Sequence, residues 1–260
     1  RFLYMHSFDY ESDNLMITIG EAVISSGIDN SIDIKHLNPF NFWSWENLGS
    51  LDRGLNAFLF TGFSWRPKTS LRVYGELLFD DINFHSDNAF YLNKYAYLIG
   101  LQKTSFPFIS SNLWLEHSNV LNQVYQSYHP SHIFTHRGYP IGHYLGNDFI
   151  NFRIHYSQIL KLSNYKIFID ISHLKDGKNN IDTPFDNPWE DNDGNMISDY
   201  IHPGFPTPPI VTIIDIDFGL EIKLKKLNYL SISLENQRYS KNKFQSNMRI
   251  RFWSYLKFIN

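Results

Sequence analysis

The chain has 260 residues, 26 Asp and Glu against 23 Lys and Arg for a net charge of -3, and no cysteine. The missing thiols exclude disulfides, Cys-based zinc sites and thiol catalysis, and the charge balance speaks against nucleic acid as a partner. No run of about 18 apolar residues occurs, which excludes a transmembrane helix, although strands that are only half apolar escape that test.

Taken in chain order, a two-residue alternation of apolar and polar side chains predicts eleven strands, at residues 2–10, 14–23, 55–65, 70–80, 94–104, 111–120, 148–160, 165–174, 211–225, 228–238 and 245–258. Successive strand side chains point to opposite faces, so such alternation marks a sheet with one apolar and one polar side. In the fourth segment Leu71, Val73, Leu77 and Phe79 alternate with Arg72, Tyr74 and Glu76; in the seventh Ile150, Phe152, Ile154 and Tyr156 alternate with Asn151, Arg153, His155 and Ser157. The ninth sets Ile214, Ile216, Phe218, Leu220 and Ile222 against Asp215, Asp217, Gly219, Glu221 and Lys223, and the last sets Met248, Ile250 and Phe252 against Arg249, Arg251 and Trp253. Strands of about 9 to 11 residues are what a tilted strand needs to cross a bilayer. A soluble antiparallel sheet shows the same alternation, because its polar face can meet water.

The connections separate the two readings. Short ones fall at Glu11–Asp13, Arg66–Thr69, Ser105–Ser110, Lys161–Asn164 and Lys226–Leu227. Long ones fall at Ile24–Gly54, Asp81–Asn93, Leu121–Asn147 and Lys175–Ile210, with one brief outer link near Ser240–Phe244. Outer-membrane barrels have short periplasmic turns and long extracellular loops in strict alternation, whereas a Greek-key sandwich has no reason to sort its connections by parity. Aromatic residues at 17% suit the ring girdles of such a barrel. The expectation is an all-β, antiparallel transmembrane β-barrel in the bacterial outer membrane, a single domain over 1–260 with long loops extracellular, the C-terminus periplasmic and lipid as its surroundings. Because barrel chains start and end in the periplasm, an odd number of strands is expected before Arg1. Arg72, Glu76, Glu116, Arg153, Asp215, Asp217, Glu221, Arg249 and Arg251 then line a polar lumen and pair with one another.

The loops hold the candidate chemistry. Asn38 to Asn47 sets Phe40, Phe42, Trp43 and Trp45 beside amides and Glu46, a combination that suits sugars, whose C–H faces stack on rings while hydroxyls need fixed partners. The same rings could instead plug the lumen or rest at the membrane interface. His129, His132, His136 and His143 lack the compact spacing of a zinc site and have no Cys or H-E-x-x-H partner. Asp186 to Asn195 is acidic, but aligning Gly194 with the glycine of a calcium loop puts Trp189 at the first ligand position, so the pattern fails. The Asp80–Asp81 pair does not establish a glycosidase site, and no nucleophile elbow or phosphate-binding loop is present. Neither a cofactor nor a metal is expected, and the chain is read as non-enzymatic and monomeric.

Several strings resemble the capsule assembly Wzi family. They are Gly20-Glu21-Ala22-Val23-Ile24, then Leu37-Asn38-Pro39-Phe40, then Tyr74 to Asp81, and above all Arg137 to Asp148, which contains G-x-x-x-G-H-x-x-G-x-D from Gly138. That resemblance implies a barrel of roughly eighteen strands that holds capsular polysaccharide on the cell surface without catalysis. It adds Arg137, His143 and Asp148 to the four loop rings as polysaccharide-binding candidates. Two functional classes follow: a surface-polysaccharide binder, favoured by a plugged lumen, and a porin-like channel or transporter for small solutes, favoured by an open one. A soluble carbohydrate-binding sandwich is a third.

Overall fold

A computed structural model describes residues 1–26, 38, 55–81, 94–127, 129–160, 164–183, 204–225, 228–239 and 244–254. Its strands are β1 (Phe2–Glu11), β2 (Leu15–Ser25), β3 (Leu55–Lys68), β4 (Leu71–Asp81), β5 (Lys94–Thr104), β6 (Ser111–Val120), β7 (Thr135–His136), β8 (Tyr139–Pro140), β9 (Phe149–Ile159), β10 (Tyr165–Asp176), β11 (Val211–Lys225), β12 (Asn228–Tyr239) and β13 (Phe244–Ser254). Eleven of them form one sheet in the order β1-β2-β3-β4-β5-β6-β9-β10-β11-β12-β13. Every neighbouring pair is antiparallel. The chain runs up and down across a single all-β sheet, and among the described residues the outer edges of β1 and β13 are unpaired.

All eleven expected strands are present, with ends that move by a few residues. What alternation did not foresee is the small ribbon of β7 and β8 and the 3-10 turn Pro130–His132 before it. The ribbon turns on Arg137 (φ 52) and Gly138 (φ 82), the pair of positive φ values that a two-residue hairpin turn requires.

Register carries one face unbroken across the sheet. Glu76 on β4 stands opposite Gly62 and Leu98, Gly100 opposite Tyr74 and Glu116, and Glu116 opposite Arg153. His155 then faces Asp170, Asp170 faces Asp217, Asp217 faces Glu235, and Glu235 faces Asn247. This inner face also receives the buried core. Ala22, Ile24, Phe58, Ala96, Val120 and Phe149 project from it and pack with Val124, Tyr125, Phe134 and Ile181 from the long connections. The core is therefore a loop seated on one end of a sheet face.

The opposite face is mostly apolar and, apart from a buried cluster of Tyr4, Val23 and Ala57 at the long-loop end of β1–β3, broadly exposed. Ile19, Phe63, Ile99, Phe152, Ile214, Phe218, Ile232 and Ile250 all lie on it and remain exposed. From Ile214 to Leu224 on β11 the apolar row covers about 34 Å at about 3.4 Å per residue, or about 25 Å of membrane for a strand tilted by about 45°. That matches the apolar band of a transmembrane barrel. Exposed Tyr10, Trp65 and Tyr165 stand toward the short-turn end of the same face, where an interfacial girdle of rings is expected.

Candidate functional site: the filled end of the inner face

The segment from Leu121 to Asp148 folds back onto the sheet instead of leaving it. Tyr125 is its anchor. The Tyr125 amide donates to Asp80 Oδ2 at 2.7 Å, its carbonyl accepts the Phe134 amide at 2.9 Å, and its ring stacks on Phe134 with centroids 5.7 Å apart. Phe134 in turn lies 4.5 Å from Phe58 of β3. Burial pushes the Tyr125 hydroxyl up to about 12, so it stays protonated, and it accepts the His143 amide at 3.3 Å.

Asp148 ties this segment to two others. It is fully buried (0% exposed) at the mouth of β9. Its Oδ1 accepts the Thr207 amide at 2.9 Å and the Thr207 hydroxyl at 3.2 Å, and its Oδ2 accepts the Asn179 amide at 3.0 Å. Its own carbonyl accepts the Gly177 amide at 2.8 Å. A Cβ at residue 177 would collide with the Asp148 carboxylate, so glycine is required there by close approach. A carboxylate holding backbone amides from both ends of the β10–β11 connection keeps them in register at a cost that only these donors repay.

The three family-like residues thus have different positions. Arg137 is exposed at the tip of the β7–β8 ribbon, and Asp148 is enclosed. His143 is half-buried, its ring 4.6 Å from those of Tyr144 and Phe149, and burial lowers its pKa to about 4. The G-x-x-x-G-H-x-x-G-x-D string acquires a structural meaning. Gly138 and Gly146 have φ of 82 and 81, Gly142 lies against the Tyr125 ring, and the final Asp is the loop tie. Around it Tyr139 (76%) and Tyr144 (64%) are strongly exposed, two rings that the sequence reading did not single out.

Below the segment is a cavity of about 760 Å³, lined from Met5 on β1 to Glu116 on β6 and roofed by Gly142, His143 and Tyr144. A sheet that lines one cavity with its first and sixth strands is curved around it. Across its floor Tyr74 lies over Gly100, where a side chain would collide, and its hydroxyl donates to Glu116 Oε2 at 3.0 Å. Arg72 bonds Ser64 at 2.9 Å and stacks 4.9 Å from the Tyr74 ring.

All nine charged residues assigned to a lumen project on this inner face. Their ion pairs reach partners outside that set. Arg153 grips Asp170 with two contacts of 2.8 Å, and His155 adds a third at 3.1 Å. Lys166 meets Glu221 at 3.3 Å, and Arg249 pairs with Glu235. Asp170 and Glu235 were legible as inward positions, since they obey the same alternation.

Phe40, Phe42, Trp43 and Trp45 lie outside the described residues, as does the acidic stretch 186–195. The loop histidines diverge: His129 and His132 meet edge-on at 5.3 Å, while His143 stacks elsewhere. Among the described residues no group of His, Asp and Glu is placed to hold a metal ion.

These features define an antiparallel all-β wall of barrel type, filled at one end of its inner face. No protein-family model matches the chain, and no curated protein matches its sequence. Among solved structures, a variant of the ferric enterobactin receptor PfeA of Pseudomonas aeruginosa superposes with a TM-score of 0.44 at 12% identity, covering 98% of this chain. The chain spans 41% of that receptor's length. OccD3 (OpdP) of the same organism gives a TM-score of 0.35 at 10% identity, over 95% of this chain and 67% of that one.

Proposed function

We propose that this chain forms the wall of a bacterial outer-membrane barrel and that it binds or organises surface polysaccharide without catalysis. The membrane placement is supported by the exposed apolar band, its height and the sorting of long and short connections to opposite ends. The observation that carries the function is the folding of Leu121–Asp148 into the inner face, where Phe58, Tyr125 and Phe134 close one end with an apolar core. A passage for solutes would leave that end wet.

Exposed Arg137, Tyr139 and Tyr144 on the infolded segment supply rings and a cation to an exterior glycan, and the ring-rich sequence of Phe40, Phe42, Trp43 and Trp45 suits the same ligand. The likeness to the capsule assembly family in Arg137 to Asp148 points the same way. The test compares cell-bound with shed polysaccharide at matched protein levels. Tyr139→Ala with Tyr144→Ala, or Trp43→Ala with Trp45→Ala, is expected to increase shedding while barrel assembly stays normal. Unchanged retention in both pairs would overturn the glycan role.

A second reading, a porin-like channel, is favoured by the charged rows and the 760 Å³ cavity. Steady ion conductance of the complete protein in a planar bilayer, without glycan binding, would establish it in place of the first.

A further inference from the structure

The outward face carries charge at one corner of β10–β12. There, register sets His173, Ile214 and Arg238 in one row across three strands, and Lys175 lies two residues beyond His173 on the same side. Lys175 and Arg238 are exposed, and neither has a side-chain partner among the described residues. The outward positions between Ile150 and Ile250 include no Asp or Glu. Among the described residues the corner is therefore cationic without internal neutralisation, and it stands at the long-loop edge of the apolar band formed by Phe152, Ile214, Ile216 and Phe218.

We propose that Lys175 and Arg238, with His173 between them, bind the phosphate groups of a lipid headgroup in the outer leaflet. The inference rests on the membrane placement proposed above, with the long loops at the outer surface. Strands lie about 4.8 Å apart and rise about 3.4 Å per residue, so the two Cα atoms are about 12 Å apart. Side chains of that length converge readily on one phosphorylated headgroup. Arginine presents a planar fork that matches phosphate, lysine a mobile point charge, and cations at a membrane surface attract anionic lipids additively. The apolar wall directly below takes the acyl chains, which selects a lipid over a soluble phosphate. Inward cations such as Lys166 and Arg153 already have carboxylate partners and cannot serve the lipid.

The test uses the complete protein in nanodiscs of a zwitterionic phospholipid doped with a bis-phosphorylated glucosamine lipid or with its dephosphorylated form. Retained lipid is counted by native mass spectrometry. The wild type is expected to hold the phosphorylated form with a preference that drops by on the order of 30-fold in Lys175→Gln/Arg238→Gln, given two surface cations. Lys166→Gln should leave the preference intact, and millimolar inorganic phosphate should not displace the lipid. Equal retention of both lipids, an unaltered preference in the double variant, or displacement by inorganic phosphate would overturn the headgroup site while leaving the membrane reading standing. Failure of the complete protein to enter any bilayer would overturn both.

Discussion

At Asp148 a single carboxylate holds Asn179 and Thr207 through their backbone amides. Asp148→Ala leaves those buried donors without an acceptor, at roughly 1–3 kcal/mol each, so the loops it joins are expected to open before the sheet does. Faster amide exchange at Asn179 and Thr207, with β9 and β10 still protected, is the expected observation; unchanged exchange there would remove Asp148 from this role. Gly177→Ala should reproduce the effect, because its methyl enters the space of the same carboxylate. His143 adds a pH dependence to the segment. Its folded pKa, about 4, lies below its ordinary 6.5, so the unfolded form takes up a proton first as pH falls. The infolded segment is thus at full stability above about pH 6.5, loses stability between about 6.5 and 4, and levels off below that. Amide exchange of Tyr125 and Phe134 measured across this window should show the loss in wild type and a flatter profile in His143→Phe. Identical profiles would assign the acid sensitivity elsewhere.

Among the elements, β11 states the two-faced logic most clearly. Phe218 faces outward and is 46% exposed, whereas Asp217 stands inward between Asp170 and Glu235. An arginine on the lipid side of a barrel strand near the midplane costs about 2–4 kcal/mol, far more than the same change on a polar inner face. Phe218→Arg is therefore expected to lower folding stability in lipid by that amount, and Asp217→Arg, which places a cation among carboxylates, to be mild. If the two variants unfold at the same denaturant concentration in bilayers, the faces are misassigned. The infolded segment behaves differently from the strands: it has little regular structure, and its place depends on Tyr125 and Phe134 finding Phe58.

For the whole molecule the open edges matter most. In hydrocarbon each unpaired backbone group costs several kcal/mol, so only a closed ring of strands is stable there. With the outer edges of β1 and β13 unpaired among the described residues, a polypeptide of these 260 residues by itself is expected not to give a closed, heat-resistant barrel. A discrete heat-modifiable band from that polypeptide would show that its two edges meet.

Alternation in the sequence was enough to place all eleven strands of the sheet, their two faces and the inward set from Arg72 to Arg251. Side-chain direction in a strand is set by local geometry, and each residue reports its own environment. Connection length likewise told which ends lie together, because antiparallel neighbours must alternate. Only the tertiary structure decided that Leu121–Asp148 folds inward, that Asp148 is enclosed while Arg137 stands free, and that Arg153 and Arg249 choose Asp170 and Glu235. Those outcomes depend on contacts between residues distant in the chain, Phe58 with Phe134 and Asp148 with Thr207, for which no periodicity exists to be read.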